Sequence, residues 1–377
     1  MSEIPVGLDS AVEGRHDKLA RLKPFILHKS ALAARKRRIE RLRLAVQLAS
    51  LAVVAWIGFR FVHWVSRLEA GDLAAARPPG VEGFLPISSL ITLRHWLESG
   101  ELSRVHPAGL VILLLAIATG VLLKKAFCSW ICPVGFVSET LASVGRRLFR
   151  RKIRLPHAVD WPLRGLKYLL LAFFVYSIFF SMRAPDIAAF LNSPYNRVAD
   201  IKMMLFFANL SAFALKVLVA LLALSVVIPY FWCRFLCPYG ALLGLLSFAS
   251  PLKVTRTASS CIDCGLCARA CPASIAVDRA SRVRSDECTA CLSCVAACPV
   301  PVALQVETRG PWRRAVRPAV FAAMVFVLFY GGIQVARLSG YWASDITNQE
   351  YQKRIQEIDA PKYHHARGQV QPDDPQD

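Results

Sequence analysis

Acidic residues are scarce in this 377-residue chain: 26 Asp and Glu stand against 46 Lys and Arg, a formal net charge of +20. No nucleic-acid-binding motif accompanies that charge, and the basic residues cluster beside apolar runs, which excludes nucleic acid as the partner. Scattered cysteines are also absent. All 12 fall in tight motifs, which argues against a disulfide framework and for metal ligation in a reducing compartment. No long apolar run lies close to Met1; the first follows a charged segment, 1–43, and so reads as a retained helix rather than a cleaved signal peptide. What is abundant is apolar side chains, 55% of the chain, with a mean hydropathy of +0.41. The long apolar runs lack the polar stripes that buried helices of a soluble protein would need.

Five runs are long enough to cross a hydrocarbon core of about 30 Å, which takes about 20 helical residues. They cover 44–65, 107–123, 166–182, 211–232 and 315–336. Basic residues fix the expected orientation. Arg35, Lys36, Arg37, Arg38, Arg41 and Arg43 precede the first run. Lys124, Lys125, Arg146, Arg147, Arg150, Arg151, Lys152 and Arg154 follow the second, and Lys253, Arg256, Arg269, Arg279, Arg282, Arg284, Arg313, Arg314 and Arg317 lie between the fourth and fifth. In segment 66–106 charges of both signs balance, and the last forty residues lean acidic. The N-terminus is therefore expected inside and the C-terminal tail outside. The divisions are a basic cytoplasmic segment 1–43, a four-helix membrane core 44–252, an iron–sulfur segment 253–310, a fifth span 315–337 and a periplasmic tail 338–377. The fold class is mainly α: a polytopic membrane helix bundle of about five spans with an internal parallel repeat, carrying a small α+β two-cluster ferredoxin-like domain.

The iron–sulfur segment carries the strongest signal. Cys261, Cys264, Cys267 and Cys271 follow the spacing C-x2-C-x2-C-x3-C with Pro272 behind them, and Cys288, Cys291, Cys294 and Cys298 repeat it before Pro299. In this run the fourth cysteine serves the other cluster. One [4Fe–4S] cluster is therefore assigned to Cys261, Cys264, Cys267 and Cys298, and the second to Cys271, Cys288, Cys291 and Cys294. A structural zinc site uses two pairs of cysteines, not three close ones plus a distant fourth. Gly265, Ala268, Ala270, Ala290, Ala296 and Ala297 let backbone N–H groups approach the sulfurs. Residues 274–277 and 302–306 are expected as short flanking strands. No substrate pocket fits in so short a segment, so its chemistry is one-electron relay.

The other four cysteines form a second repeat. Phe127-Cys128-Ser129-Trp130-Ile131-Cys132-Pro133-Val134-Gly135 is echoed 105 positions later by Trp232-Cys233-Arg234-Phe235-Leu236-Cys237-Pro238-Tyr239-Gly240. Each copy ends an apolar run, so the first two spans read as a parallel duplicate of the next two. Cysteines at i and i+4 share a helical face, and the following Pro lets the chain turn. Three readings stay open for Cys128, Cys132, Cys233 and Cys237: a third metal or redox centre, dithiol or copper chemistry, or buried structural thiols.

Two CxxxCP motifs at membrane edges followed by a two-cluster segment resemble the NapH, NosR and CcoG group of membrane polyferredoxins, over about 44–306. The resemblance implies quinol oxidation for periplasmic reductases, maturation of nitrous-oxide reductase, or copper reduction for oxidase assembly. The chain lacks the flavin-binding domain of a NosR-like protein and the globular tail domain of a CcoG-like one, and has a span more than NapH. The leading expectation is a protein of the bacterial inner membrane that passes electrons between the quinone pool and a redox protein partner, a cytochrome or reductase subunit. Its rivals are a copper-reductase-like maturation factor and a non-catalytic relay or anchor subunit.

Weaker features complete the reading. His63 and His106 are candidate haem ligands, against ordinary interfacial histidines. His364 and His365 are a solvated pair or a metal contact. Segment 77–86 is a rigid turn that could line a quinol site. Residues 87–97 repeat at helical spacing as an interfacial or connecting helix. A short helix is expected over 349–358, and 369–377, rich in Pro and Asp, is expected to be disordered.

Overall fold

The computed structural model describes residues 22–150, 155–309 and 314–363. The expectations for His364 and His365, for 369–377, for the start of the N-terminal segment, and for Arg151, Lys152, Arg154 and Arg313 lie outside the described residues.

Helix α1, Lys29–Glu69, has 41 residues and is about 60 Å long at 1.5 Å per residue. It therefore overhangs any bilayer. Its first part is basic and packs against the iron–sulfur segment; its second part is apolar and turns Trp56, Phe59 and Val62 outward. After a turn at Gly80 (φ +107°), α2 (Pro86–Ser99) starts on a proline and stops at Gly100 (φ +73°). Its polar edge is buried together with Ile91: Ser88 donates to Asn196 Oδ1 at 2.9 Å, and Arg94 donates to the carbonyls of Ile178 and Met182, while Ile87 and Leu97 are exposed. Hydrogen bonding thus joins apolar packing in fixing this helix to its neighbours and leaves Ile87 and Leu97 facing out.

Helix α3 (Pro107–Leu122) is central and short, 16 residues or about 24 Å, and ends at Lys124, whose φ is +62°. The single turn α4 (Phe127–Trp130) and α5 (Pro133–Phe149) follow. Helix α6 (His157–Tyr176) continues through a wide turn, Ser177–Ser181, into α7 (Ala184–Leu191), α8 (Pro194–Arg197), α9 (Ala199–Ala208) and α10 (Ala212–Val227). Helices α9 and α10 are bent by 82° at their junction. Then come α11 (Pro238–Leu246), the iron–sulfur segment, α14 (Pro318–Phe326), α15 (Gly332–Leu338) and α16 (Asn348–Gln356).

A helix fills most of each of the five predicted apolar runs, but the fourth is broken near Tyr230 (φ +62°) and the fifth opens in a short strand, Ala315–Val316. Among the described residues three helices, Lys29–Glu69, Ala158–Ser181 and Pro318–Leu338, are long and apolar enough to cross a membrane; the bent pair would make a fourth, and α3 falls short of that length.

The iron–sulfur segment holds β1 (Lys253–Arg256), α12 (Leu266–Ala270), α13 (Ser293–Ala297), β2 (Leu304–Glu307) and β3 (Ala315–Val316). The sheet is antiparallel in the order β1-β2-β3, with Val254 opposite Val306. The strand expected at 274–277 does not form. Ser274 sits at φ +58°, which breaks an extended run, and β2 pairs with 253–256 instead. One apolar cluster joins Ile39, Ala116, Trp130 and Phe321 of the helices to Val254, Val295 and Leu304 of this segment. Helix bundle and iron–sulfur segment therefore share a core.

Candidate cluster and thiol site

The two ferredoxin-type runs are wound alike. Asp263 and Gly265 flank Cys264 at φ +52° and +65°; 27 positions later Ala290 and Leu292 flank Cys291 at +48° and +61°. Alternating left- and right-handed residues turn successive N–H groups to one side and make an anion-binding nest. Asp263 N donates to Cys261 Sγ at 3.4 Å, and Ala290, at the equivalent position, supplies a backbone hydrogen bond to Cys288. Leu292 holds without a glycine the strained conformation that Gly265 adopts freely.

Cys261, Cys264, Cys267 and Cys298 line one small cavity together with Asp278 and Val300. In the second quartet, burial pushes the Cys288 thiol up to about 11 and Cys294 well above its ordinary range, and Cys271 and Cys291 add to both. Buried thiolates held so close need positive charge among them, and nests of N–H groups suit a negatively charged iron–sulfur core. The residues therefore fit the two clusters. Among the described residues no three His, Cys, Asp or Glu side chains are disposed to hold a single metal ion.

The CxxxCP copies are also alike, though not as one helical face. Each first half closes with a wide turn, Cys132 N to Phe127 O at 2.9 Å and Cys237 N to Trp232 O at 3.0 Å. The second cysteine then precedes a new helix with proline at its first position, where the missing N–H is no loss. Cys237 Sγ accepts from Gly240 N at 3.3 Å. Gly135 lies against the Cys128 carbonyl, where a Cβ would come within 1.9 Å; at Gly240 a Cβ would sit 3.3 Å from the Cys233 carbonyl oxygen, tight but not a clash. Only glycine fits the first of these contacts.

All four CxxxCP thiols face a single cavity of about 800 Å³. Burial pushes Cys132 up to about 11, Cys233 to about 12 and Cys128 well above its ordinary range. Lys125, almost fully buried, lies among them. Burial pulls its ammonium down, but Cys128 and Glu287 more than offset that and hold it above its usual range. Glu139, Glu287, Tyr230 and Cys291 line the same end. Ser129 Oγ donates to Thr289 O at 2.6 Å and Trp130 Nε1 to Ala290 O at 3.1 Å, so the first CxxxCP motif grips the loop between Cys288 and Cys291. At the other end the cavity meets Arg77, Pro78, Gly80, Phe84, Arg337 and Trp342. Arg77 pairs with Glu82 at 2.7 Å and Asp200 at 2.6 Å, beneath the rings of Trp64 and Tyr351. Segment 77–86 is thus both a fixed turn and a cavity wall.

Two sets of contacts went unforeseen in the sequence. Lys124 donates to Ser285 O at 2.8 Å. Lys167, with a fully buried side chain on α6, pairs with Glu287 and with Asp286, which also accepts from Tyr168 Oη. A lysine inside an apolar run is itself a signal for a buried partner. His106 Nε2 donates to the Asn196 carbonyl oxygen at 2.6 Å, and His63 is exposed, so the haem reading gains no ligand pair.

Segments 105–156 and 210–256 both match the family described as 4Fe-4S binding domain, and 253–299 matches the 4Fe-4S dicluster domain. YccM of Escherichia coli K12, whose name refers to electron transport, is 42% identical over 319 residues, 83% of this chain and 89% of YccM. The chain belongs to the membrane polyferredoxins of the NapH and NosR type. The ferredoxin-type protein NapH of Escherichia coli K12 is 28% identical over half of this polyferredoxin and 61% of its own length. The regulatory protein NosR of Pseudomonas aeruginosa is 28% identical over 54% of the chain and 28% of NosR. No solved structure matches. This polyferredoxin is accordingly a 4Fe-4S electron-transport protein with several apolar helices.

Proposed function

We propose that this polyferredoxin passes electrons between a membrane quinone and a redox protein partner through two [4Fe–4S] clusters, held by Cys261, Cys264, Cys267 and Cys298 and by Cys271, Cys288, Cys291 and Cys294. When bound, the clusters supply one-electron transfer. The observation that carries the quinone is the cavity. Its volume of about 800 Å³ lies within the range of ligand pockets, its walls are mostly apolar, and a few polar groups converge at one end. Those groups are Lys125, Glu139 and Glu287, beside the CxxxCP thiols and the Cys288–Cys291 loop. The Lys125 ammonium suits a quinone carbonyl oxygen. The Glu139 carboxylate is held by Arg43 and Gln47, and Glu287 by Lys167.

The proposed topology is five crossings in a bacterial inner membrane, with α3 as a short central one, the cysteine-rich end in the cytoplasm and the tail outside. Basic residues around the cysteine-rich end support it. The parallel repeat is supported by the shared 105-position offset, by the matched wide turns, and by two segments matching one family.

The decisive experiment uses anaerobic protein with dithionite-reduced clusters, excess removed, mixed rapidly with a menaquinone analogue. Loss of the reduced-cluster EPR signal on a turnover timescale is expected. A persistent signal would sink the quinone site and leave a relay between protein partners.

A second reading has its own support: a third metal centre at Cys128, Cys132, Cys233 and Cys237. Both CxxxCP segments lie in stretches that match a 4Fe-4S binding family. Replacing all four by Ser then lowers iron per chain by about a third. Unchanged iron would leave them as thiols, with copper or dithiol chemistry to test next.

A further inference from the structure

The overhanging end of α1 runs beside both cysteine quartets. Leu27, just before it, donates its backbone N–H to Pro299 O at 2.8 Å. Arg35 Nη1 donates to the carbonyl of Cys298 at 3.0 Å. Just over two turns on, Arg43 Nη1 donates to the carbonyl of Cys291 at 3.0 Å and to Ser293 Oγ at 3.2 Å. Cys298 belongs to one proposed ligand set and Cys291 to the other. One helix therefore delivers one guanidinium to each quartet. Arg35 is half-buried and Arg43 buried, so solvent screens neither charge fully.

We propose that Arg35 and Arg43 set the reduction potentials of the two clusters, each acting on its own. This rests on the ligand assignment above. A cubane bound by four thiolates is anionic and gains a further negative charge on reduction. A fixed positive charge hydrogen-bonded to the backbone of a ligand favours that state and raises the potential. Net charge, hydrogen bonding and exposure are the levers that spread iron–sulfur potentials. The two sites are not equivalent, because the other guanidinium nitrogen of Arg43 pairs with Glu139. That carboxylate cancels part of the Arg43 charge, so Arg35 is the stronger effector. Lys124, near Cys288, and Asp278, near Cys267, also bear on the clusters but stay constant across the variants below.

The test is an EPR-monitored redox titration of the full-length protein. Arg35→Gln is expected to lower the potential of the Cys298 cluster by about 59 mV, tenfold in its one-electron equilibrium, and to leave the other in place. Arg43→Gln lowers the other by less. Glu139→Gln raises the signal that Arg43→Gln lowers, and it reads the same effect even if Arg43→Gln fails to fold. Arg35→Lys and Arg43→Lys keep the charge and most of the potential. Two intact clusters with unmoved potentials, or both Gln variants shifting one signal, would overturn the proposal. So would Lys variants falling as far as Gln variants, which would make the effect geometric. A wild-type protein without two clusters would instead sink the ligand assignment itself.

Discussion

Replacing Cys298 with Ser is expected to remove the cluster that Cys261, Cys264 and Cys267 hold, and to leave the other intact with half the ferredoxin-type iron. The crossed assignment follows from how each run is built. Three cysteines sit on a tight loop and the first turn of a short helix, so their sulfurs converge. The fourth lies past the helix end, at Cys271 after α12 and at Cys298 after α13, where the chain has turned away from its own loop. Cys298 shares a cavity with the first loop, and burial together with the Cys264 and Cys261 charges raises its thiol. The decisive readout is spectral identity. Cys298→Ser and Cys264→Ser should give the same residual EPR spectrum, and Cys271→Ser and Cys291→Ser the other. If Cys298→Ser matches Cys291→Ser instead, each run serves its own cluster and the crossing is wrong.

The two matched cysteine loops were readable because ferredoxin-type spacing is local: x2, x2 and x3 intervals dictate tight loops whatever surrounds them. The apolar runs were readable for the same reason, since helix formation needs only a continuous stretch of about 20 residues. Contacts between distant segments were not. The wide turns that split Cys128 from Cys132 and Cys233 from Cys237 are set by backbone hydrogen bonds that no side-chain spacing announces, so an i, i+4 reading put both thiols on one helical face. At 274–277 the apolar pattern resembled that of 302–306, but β1 supplied the partner strand. Over 87–97 helical spacing was visible, yet not that Ser88 and Arg94 would find buried partners on Asn196 and Ile178. The cavity was invisible for the same reason. Segment 77–86, Lys125 and the four CxxxCP thiols are scattered along the sequence and meet only through packing of α1, α3 and α15.

Changing Lys167 to Met is expected to unfasten the iron–sulfur segment from the helix bundle. Lys167 lies in an apolar helix with no exposed side-chain surface, and its ammonium pairs with Glu287, itself 5% exposed, and with Asp286. Removing one member of a buried ion pair typically destabilises by about 3–5 kcal/mol, because the remaining charge is left without compensation. Here that charge is the Glu287 carboxylate, one residue before the proposed cluster ligand Cys288, so the damage should appear first as loss of the second cluster's signal and as early unfolding in detergent. The pair need not contribute much net stability when intact, since desolvating both charges offsets their attraction. The double variant Lys167→Met with Glu287→Gln separates these terms. It removes both charges together and should recover most of the loss, the mark of coupled neighbours in a double-mutant cycle. No recovery would mean that the Lys167 stem packs α6 against this loop for steric reasons. Recovery of folding with slowed quinone reduction would place the Glu287 carboxylate in the cavity's chemistry as well as in its fastening.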